Sequence, residues 1–247
     1  MDEREKLARI RLIQTRHIGP MTFSLLIQRY GSALAALAAI PDLAARGGRK
    51  LSIASLADAK AELAANDDAG ARLIWRDSDS YPLRLAQFDD APVTLSTRGN
   101  LHLLHKPMIA LVGARNASIN AIRHAETLAR ELGEAGYVIV SGMARGIDAA
   151  AHRGAMATGT VGGIAGGIDI IYPPENRALF QQIVDEGLLL AEMRPGTAPT
   201  PRHFPTRNRI IASLALGVVV IETAAKSGSL ITAREAGERG SEVMAIP

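Results

Sequence analysis

Hydrophobic positions follow two different periods along this 247-residue chain. Up to about Ile74 they recur at helical spacing, as in EKLARIRLIQ and MTFSLLIQRYGSALAAL. After Lys106, short runs that are apolar on both faces alternate with helical stretches. The change of period predicts a helical domain over residues 1–74, a connecting segment with short strands over 75–105, and an α/β domain over 106–247.

The second part of the chain contains six strand-like runs. They read MIALVGA, YVIVSG, VGGIAGG, LLLAEM, GVVVIET and EVMAIP, and helical stretches separate them. Strands that are apolar on both faces are typical of a parallel sheet with helices packed on each side. The pattern therefore predicts a doubly wound, mostly parallel α/β fold.

The first part contains HIGPMTFSLLIQRYGSALAAL, with Gly19–Pro20 before one helix and Gly31–Ser32 before the next. This stretch resembles a helix-hairpin-helix module of the sterile-alpha-motif-like kind, in which backbone amides at a turn touch phosphate. A helical packing domain is the alternative, and we favour it because His17-Ile18-Gly19 replaces the usual Gly-Ile-Gly.

Composition excludes several classes of protein. The chain has no cysteine, which excludes disulfides, thiolate metal sites and a cysteine nucleophile. Its apolar runs are too short to span a bilayer, and its charged start is unlike a signal peptide. We expect a cytoplasmic protein without a membrane partner. The net charge of +3 is mild, so the placement of the cations has to decide what they bind.

Glycines and cations recur where the predicted strands end. In an open α/β sheet, ligands bind outside the carboxyl ends of the strands, and free helix amides there bind anions. The residues that follow the successive strands are Gly113-Ala114-Arg115, Ser141-Gly142 with Arg145-Gly146, Gly166-Gly167, Arg194 with the segment 202–209, and Lys226-Ser227-Gly228-Ser229. This edge predicts an anionic ligand.

The same edge does not match common cofactor or catalytic motifs. VGARNAS lacks the Gly-x-Gly-x-x-Gly spacing, and no Walker A loop occurs, so neither nicotinamide nor ATP is expected. We predict no cofactor, no metal and no catalytic set. Asp148 and His152 lie four residues apart and so share a helix face. They are either metal ligands or a proton relay, or they form a local hydrogen bond at a helix start, which is the interpretation we favour. Glu192 and Glu222 are either general bases or, as we favour, partners of Arg207 or Arg209.

The stretch FPTRNRII raises a question of charge. If Thr206 is the N-cap of a helix, Arg207 and Arg209 lie in its first turn, where the helix dipole disfavours cations. This conflict indicates that the two arginines face something negative. Phe204 precedes them in a chain with only 4% aromatic residues. It either stacks on an unpaired base or packs beneath the loop, and both interpretations remain open.

Several long motifs in order resemble the DNA-processing protein A family, also called DprA or Smf. They are VGARNAS, VIVSGMARGIDAAAH, GGIDIIYPPEN, FPTRNRIIASLALGVVVIETAAKSGSLITA and EVMAIP, with YPLRLAQFDDAPVTLSTRGN as a lead-in. The resemblance implies an extended Rossmann-like domain that binds single-stranded DNA. It also implies protection of incoming strands, loading of a RecA-type recombinase in natural transformation, and a homodimer. Many members carry a winged-helix domain, which is expected beyond Pro247.

Carried over by motif, the resemblance implies phosphate or base contacts from fourteen residues. They are Gly113, Arg115, Ser141, Gly142, Arg145, Arg202, Phe204, Arg207, Asn208, Arg209, Lys226, Ser227, Gly228 and Ser229. One departure is Thr160 in TGTVGGIAGG, where family members often have a basic residue.

Two other functions remain open. SGSLITAREA has a distant likeness to the loop of nucleoside-monophosphate phosphoribohydrolases, with Glu235 near the place of their acid. A small-nucleotide sensor that acts through a partner protein is the third interpretation.

Overall fold

Four helices form the first part of the protein. The computed structural model describes residues 1–46, 52–223 and 227–246. The helices are α1 (Glu3–Gln14), α2 (Pro20–Tyr30), α3 (Ala33–Arg46) and α4 (Leu56–Asp68). Pro20 opens α2 at the position where its missing N–H costs least.

The helical part is fixed to the rest of the molecule by an apolar core and by ion pairs. Leu12 and Ile40 lie in its core together with Trp75 and Val93, which belong to the following segment. The guanidinium of Arg9 binds both carboxylate oxygens of Asp77 at 2.7 Å. The helices and the following segment therefore share one packed interior.

In the part of the chain that the structure describes, eight strands form a single sheet. They are β1 (Arg72–Trp75), β2 (Thr94–Gly99), β3 (Met108–Gly113), β4 (Val138–Gly142), β5 (Thr160–Gly167), β6 (Leu188–Met193), β7 (Gly217–Ile221) and β8 (Glu242–Ile246). Their order is β1-β2-β6-β5-β4-β3-β7-β8. Strands β3 to β8 are mutually parallel, while β2 is antiparallel to both β1 and β6. The predicted mostly parallel sheet is confirmed.

The segment predicted as a connection contributes to this sheet. It contains β2, the short helix α5 (Leu83–Ala86) and a 3-10 helix (Leu101–His105). Strand β1, which ends at Trp75, begins before the predicted segment, at Arg72. Residues 72–74, predicted to end the helical part, are therefore in the sheet. We retain the division into three segments as a proposal, with the first boundary placed before β1.

Helices cover the sheet on both faces. Helices α6 (Ile119–Glu134), α7 (Ile147–Ala155) and α8 (Arg177–Glu186) pack on one face, and α9 (His203–Leu214) and α10 (Gly228–Glu238) pack on the other. Side chains along β3 alternate between the faces, with Ala110 and Val112 under α9 and Leu111 under α7. The doubly wound architecture is confirmed.

Strand order reverses beside β3. From β3 the chain steps outward to β4, β5 and β6 on one side, and it later returns to β7 on the other. At such a switch point the loops after the two neighbouring strands diverge and leave a crevice at their carboxyl ends. The loops after β3 and β7 therefore flank the candidate site.

Helix α9 begins earlier than the sequence pattern suggested. It starts at His203 after Arg202, so the predicted N-cap at Thr206 is wrong, and the Thr206 hydroxyl donates to the Arg202 carbonyl at 3.2 Å. Pro205 lies within the first turn, where proline is tolerated. Arg207 is thus in the second turn, outside the region where the dipole opposes a cation most strongly.

Among residues 1–46, 52–223 and 227–246, no single helix is long and apolar enough to cross a membrane. The pair α2–α3, bent by 101°, passes that test together on length and composition alone.

Candidate nucleic-acid interface

A crevice of about 770 Å³ opens at the switch point of the sheet. The loop after β3, the end of β4, the start of α9 and the start of α10 line it. Nine of the fourteen predicted site residues contribute to its walls: Gly113, Arg115, Gly142, Phe204, Arg207, Asn208, Ser227, Gly228 and Ser229. The structure therefore brings together segments that are more than 100 residues apart in the chain.

The other predicted residues lie elsewhere. Ser141 is fully buried, and its hydroxyl donates to the Leu111 carbonyl at 2.6 Å. Arg145 lines a smaller neighbouring pocket, and Arg202 is exposed before α9. Arg209 points away from the crevice to Glu192 and the Asp90 carbonyl. Lys226 lies outside the described residues.

Arg207 is a buried cation in the crevice wall. It is 7% exposed, and its guanidinium donates to the Gly163 carbonyl at 2.7 Å and to the Asn208 side chain at 3.1 Å. Burial lowers the pKa of Arg207, and the nearby Asp148 opposes that shift. Because an arginine keeps its charge in proteins, this position is a fixed positive centre.

Asp148 supplies the opposite charge. Burial raises the pKa of Asp148, while Arg207 acts against that shift. Its carboxylate accepts a hydrogen bond from the Ala144 amide at 3.3 Å. Asp148 therefore lies close to the buried charge of Arg207, and exposed positive charge at the site comes from other residues.

Arg115 and two aromatic rings form the outer wall. Arg115 is exposed and forms no ion pair with any described residue. Its guanidinium carbon lies 5.5 Å from the centroid of the Phe204 ring, and Arg207 lies 6.0 Å from the same centroid. The Tyr172 ring is 5.9 Å from Phe204, tilted by 59°. Phe204 is thus partly exposed and lies close to two cations at the crevice surface.

Three hydroxyl groups meet at the start of α10. The Ser229 hydroxyl lies 2.7 Å from that of Thr223 and 2.6 Å from that of Ser227, and the latter two are also hydrogen-bonded. Asn208 donates to the Gly228 carbonyl at 3.2 Å and so joins α9 to this turn. Hydroxyls and free amides at a helix start bind anions.

The predicted partners of the acidic residues are partly confirmed. Glu192 accepts two hydrogen bonds from Arg209 at 2.6 and 2.7 Å, as predicted. Glu222 instead accepts from the amide and hydroxyl of Ser118, so its predicted arginine partner is wrong. Those hydrogen bonds lower the pKa of Glu222.

Asp148 and His152 do not bond to each other. The two ring nitrogens of His152 contact the Thr160 hydroxyl at 2.7 Å and the Gly142 carbonyl at 2.6 Å. Burial lowers the pKa of His152 to about 4, so the ring is neutral at pH 7. Across the described ranges, no group of three or more acidic or histidine side chains is placed to hold a metal ion. The predicted hydrogen bond between Asp148 and His152 is therefore wrong, and each side chain has its own partner.

Tyr172 and Asn116 line the crevice but were not among the predicted residues. Tyr172 follows β5 in IIYPPEN, a stretch that contains neither a glycine nor a cation. Its signal was the aromatic residue itself, since the chain has only four tyrosines.

Two family models match the chain. The model for DNA recombination-mediator protein A matches residues 72–247, and the model for the DprA-like N-terminal HHH domain matches residues 3–65. The chain belongs to the DNA recombination-mediator protein A family. The resemblance inferred from the motifs is confirmed.

Curated relatives carry names from the same family. The chain is 46% identical over 171 residues to DNA processing protein DprA of Streptococcus pneumoniae, covering 68% of this chain and 60% of the relative. It is 43% identical over 188 residues to DNA processing protein DprA of Bacillus subtilis, covering 75% and 63%. The chain thus spans about three fifths of the length of these relatives. Their names do not favour the phosphoribohydrolase alternative.

Two solved structures of family members share the fold. The DNA processing protein A structure from Streptococcus pneumoniae has a TM-score of 0.69 at 43% identity, covering 72% of this chain and 63% of that one. The protein from Helicobacter pylori has a TM-score of 0.67 at 31% identity, covering 72% and 82%. A single-stranded DNA binding mode has been described structurally for the Helicobacter pylori protein.

Proposed function

We propose that this protein binds single-stranded DNA in the crevice between the loops after β3 and β7. The observation that carries the proposal is the grouping of Arg115, Phe204 and Tyr172 at one surface. Arg115 offers an exposed guanidinium for a phosphate, and the aromatic rings offer faces for an unpaired base. The hydroxyls and amides at the start of α10 offer a second phosphate contact.

The electrostatics of the crevice favour this ligand. Arg207 is buried close to Asp148, whereas Arg115 is exposed and has no acidic partner among the described residues. A phosphate at Arg115 is therefore an uncompensated attraction that salt weakens. Aromatic stacking requires bases that are not already paired, so the rings favour single strands over a duplex.

At the level of biology, we propose that the protein protects incoming strands and helps load a RecA-type recombinase in the cytoplasm, acting as a homodimer and not as an enzyme. Family membership supports the proposal, as does the Helicobacter pylori relative with its single-stranded DNA binding mode. His152 and Asp148, two of the titratable groups considered for catalysis, are each engaged in a structural hydrogen bond.

A titration of fluorescent oligo-dT at several salt concentrations tests the proposal. A duplex of equal length is the control. We expect tighter binding of the single strand and a linear fall of log K with log salt concentration. Equal, weak binding of both nucleic acids would mean that the crevice serves another ligand.

A further inference from the structure

A second, smaller pocket adjoins the crevice. Its volume is about 200 Å³, and it shares Arg115, Phe204, Tyr172 and Arg207 with the larger crevice. A space of this size can admit one nucleobase. Apolar groups that include Met143 and Ile164 complete its lining. Such a lining suits the flat apolar faces of a base more than a phosphate.

Glu175 is the one acidic residue among the described residues that line this pocket. The turn that carries it is held in place from both sides. Pro173 and Pro174 precede it, and the Asn176 side chain donates to the carbonyls of Met143 and Ala144 at 2.9 and 3.1 Å. The Glu175 carboxylate is therefore displayed from a fixed backbone at the rim of a pocket otherwise lined by arginines and apolar groups.

Arg145 lies beside that carboxylate at the same rim. The Nη1 atom of Arg145 is 3.6 Å from Oε1 of Glu175, and the two side chains are 53% and 59% exposed. This loose pair leaves most donors of the guanidinium and most acceptor sites of the carboxylate available. The rim thus presents donors next to two acceptor oxygens.

We infer that this rim reads the Watson–Crick edge of a guanine held in the pocket. Guanine places one acceptor, O6, next to two donors, N1–H and N2–H. Arg145 would donate to O6, and the two oxygens of Glu175 would accept from N1 and N2 in a bidentate contact. The inference rests on the proposed function, because only an unpaired base exposes this edge.

The other bases fit the carboxylate less well. Adenine and cytosine each place a ring nitrogen lone pair beside the amine, where it would face the second carboxylate oxygen. Thymine has one N–H between two carbonyl oxygens, and both would be repelled. Guanine is therefore the base that satisfies both oxygens of Glu175.

Oligo-dT strands with a single central substitution test the inference. Four strands carry dG, dI, dA or dC at the central position. The affinity of each labelled strand is measured by fluorescence anisotropy at one salt concentration. We expect the dG strand to bind about fivefold more tightly than unsubstituted oligo-dT. That is the lower end of bidentate base discrimination, because both side chains are more than half exposed. Deoxyinosine lacks the N2 amine, so the dI strand should lose most of the gain.

Glu175→Gln should reduce the ratio of dG to dT affinity to about one, since an amide offers only one acceptor oxygen. Glu134→Gln is the matched control, because Glu134 forms a similarly exposed ion pair with Arg130 at the far end of α6. It should leave the ratio unchanged. Thermal unfolding of both variants checks that they fold.

Two results would overturn the inference while leaving the proposed function intact. One is binding of every strand with the same affinity by the unaltered protein. The other is a uniform gain in affinity for all strands in Glu175→Gln, which would mean that Glu175 merely neutralises Arg145. Absence of binding to any strand would overturn the proposed function as well.

Discussion

The guanidinium of Arg207 and the carboxylate of Asp148 both lie against the Cα of Gly142 at the end of β4. A methyl group on Gly142 would be 2.5 Å from Nη1 of Arg207 and would also overlap the Asp148 carboxylate. Glycine is thus required here because a side chain would occupy the space of the Arg207 and Asp148 side chains at the floor of the crevice.

Gly142→Ala should therefore destabilise the fold and weaken DNA binding. We expect a loss of about 2 kcal/mol in the free energy of unfolding, in the usual range for overpacking a core. Urea unfolding measures it. Gly237→Ala in α10 is the control, because the nearest atom to its added methyl lies 4.0 Å away, and it should be neutral or stabilising. Unchanged stability of Gly142→Ala would show that the pair moves apart freely.

Arg115→Ala should weaken binding of all single strands. Loss of one phosphate contact is expected to reduce the magnitude of the salt slope by about 0.7. The measurement is a titration of oligo-dT at several salt concentrations. Arg130→Ala removes the same charge at a remote surface pair and should leave the slope nearly unchanged. If the two variants behave alike, the phosphate is not bound at Arg115.

Phe204→Leu should weaken binding without altering the salt slope. The leucine fills part of the space but offers no ring for stacking, and loss of one stacked base costs about 1–3 kcal/mol. Affinity at one salt concentration and the slope are read from the same titrations. Wild-type affinity in this variant would assign Phe204 a packing role only.

Arg209→Met should impair stability and leave the salt slope of the folded protein unchanged, because Arg209 holds Glu192 and the Asp90 carbonyl outside the crevice. Removing the cation from a largely buried pair costs about 3 kcal/mol. Burial already raises the pKa of Glu192, and loss of Arg209 raises it further. A carboxyl pKa that is higher in the folded state means that protonation of Glu192 favours folding. The loss of unfolding free energy in the variant, relative to wild type, should therefore become smaller as pH falls from 8 towards 5.

Urea midpoints at several pH values test this prediction. The double variant Arg209→Met/Glu192→Gln should recover part of the stability and lose the pH dependence. A reduced salt slope in Arg209→Met would mean that Arg209 contacts a DNA phosphate, contrary to this prediction.

His152 should make stability depend on pH in a defined window. Its pKa is lowered to about 4 in the folded state, so the unfolded chain takes up the proton first, near pH 6.5. The neutral ring stabilises the folded state fully above about pH 6.5, and this stabilisation is lost as pH falls to about 4. The loss in the free energy of unfolding amounts to about 3 kcal/mol. The stability difference between wild type and His152→Gln should therefore decrease between pH 7.5 and 4.5. Parallel pH profiles would contradict this.

Elements whose signal is local were predictable from the sequence. Most of strands β3 to β8 are apolar on both faces, so they were recognised without knowledge of their neighbours. The start of α9 was misplaced because Pro205 suggests the approach to a helix as readily as a position in its first turn. The participation of β1 and β2 in the sheet was not predictable, since β2 pairs with β6 far along the chain and β1 joins the sheet through β2.

The same distinction applies to the candidate site. Glycines and cations at strand ends located the crevice, because parallel strands bring their carboxyl ends to one edge. They did not separate Arg115, which is exposed, from Arg209, which is paired with Glu192. Pairing depends on the acid that tertiary structure brings near, and Tyr172 reached the site through a turn whose course the sequence does not specify.

The pairing of β2 with β6 has a consequence for biosynthesis. Thr97 lies opposite Leu190, so β2 emerges from the ribosome long before its partner exists. The four N-terminal helices have mostly local contacts and can form early, whereas the sheet closes only after β6 has been made. Until then the edge of β2 that faces away from β1 is unpaired and open to other chains, and delayed synthesis between β2 and β6 should increase aggregation.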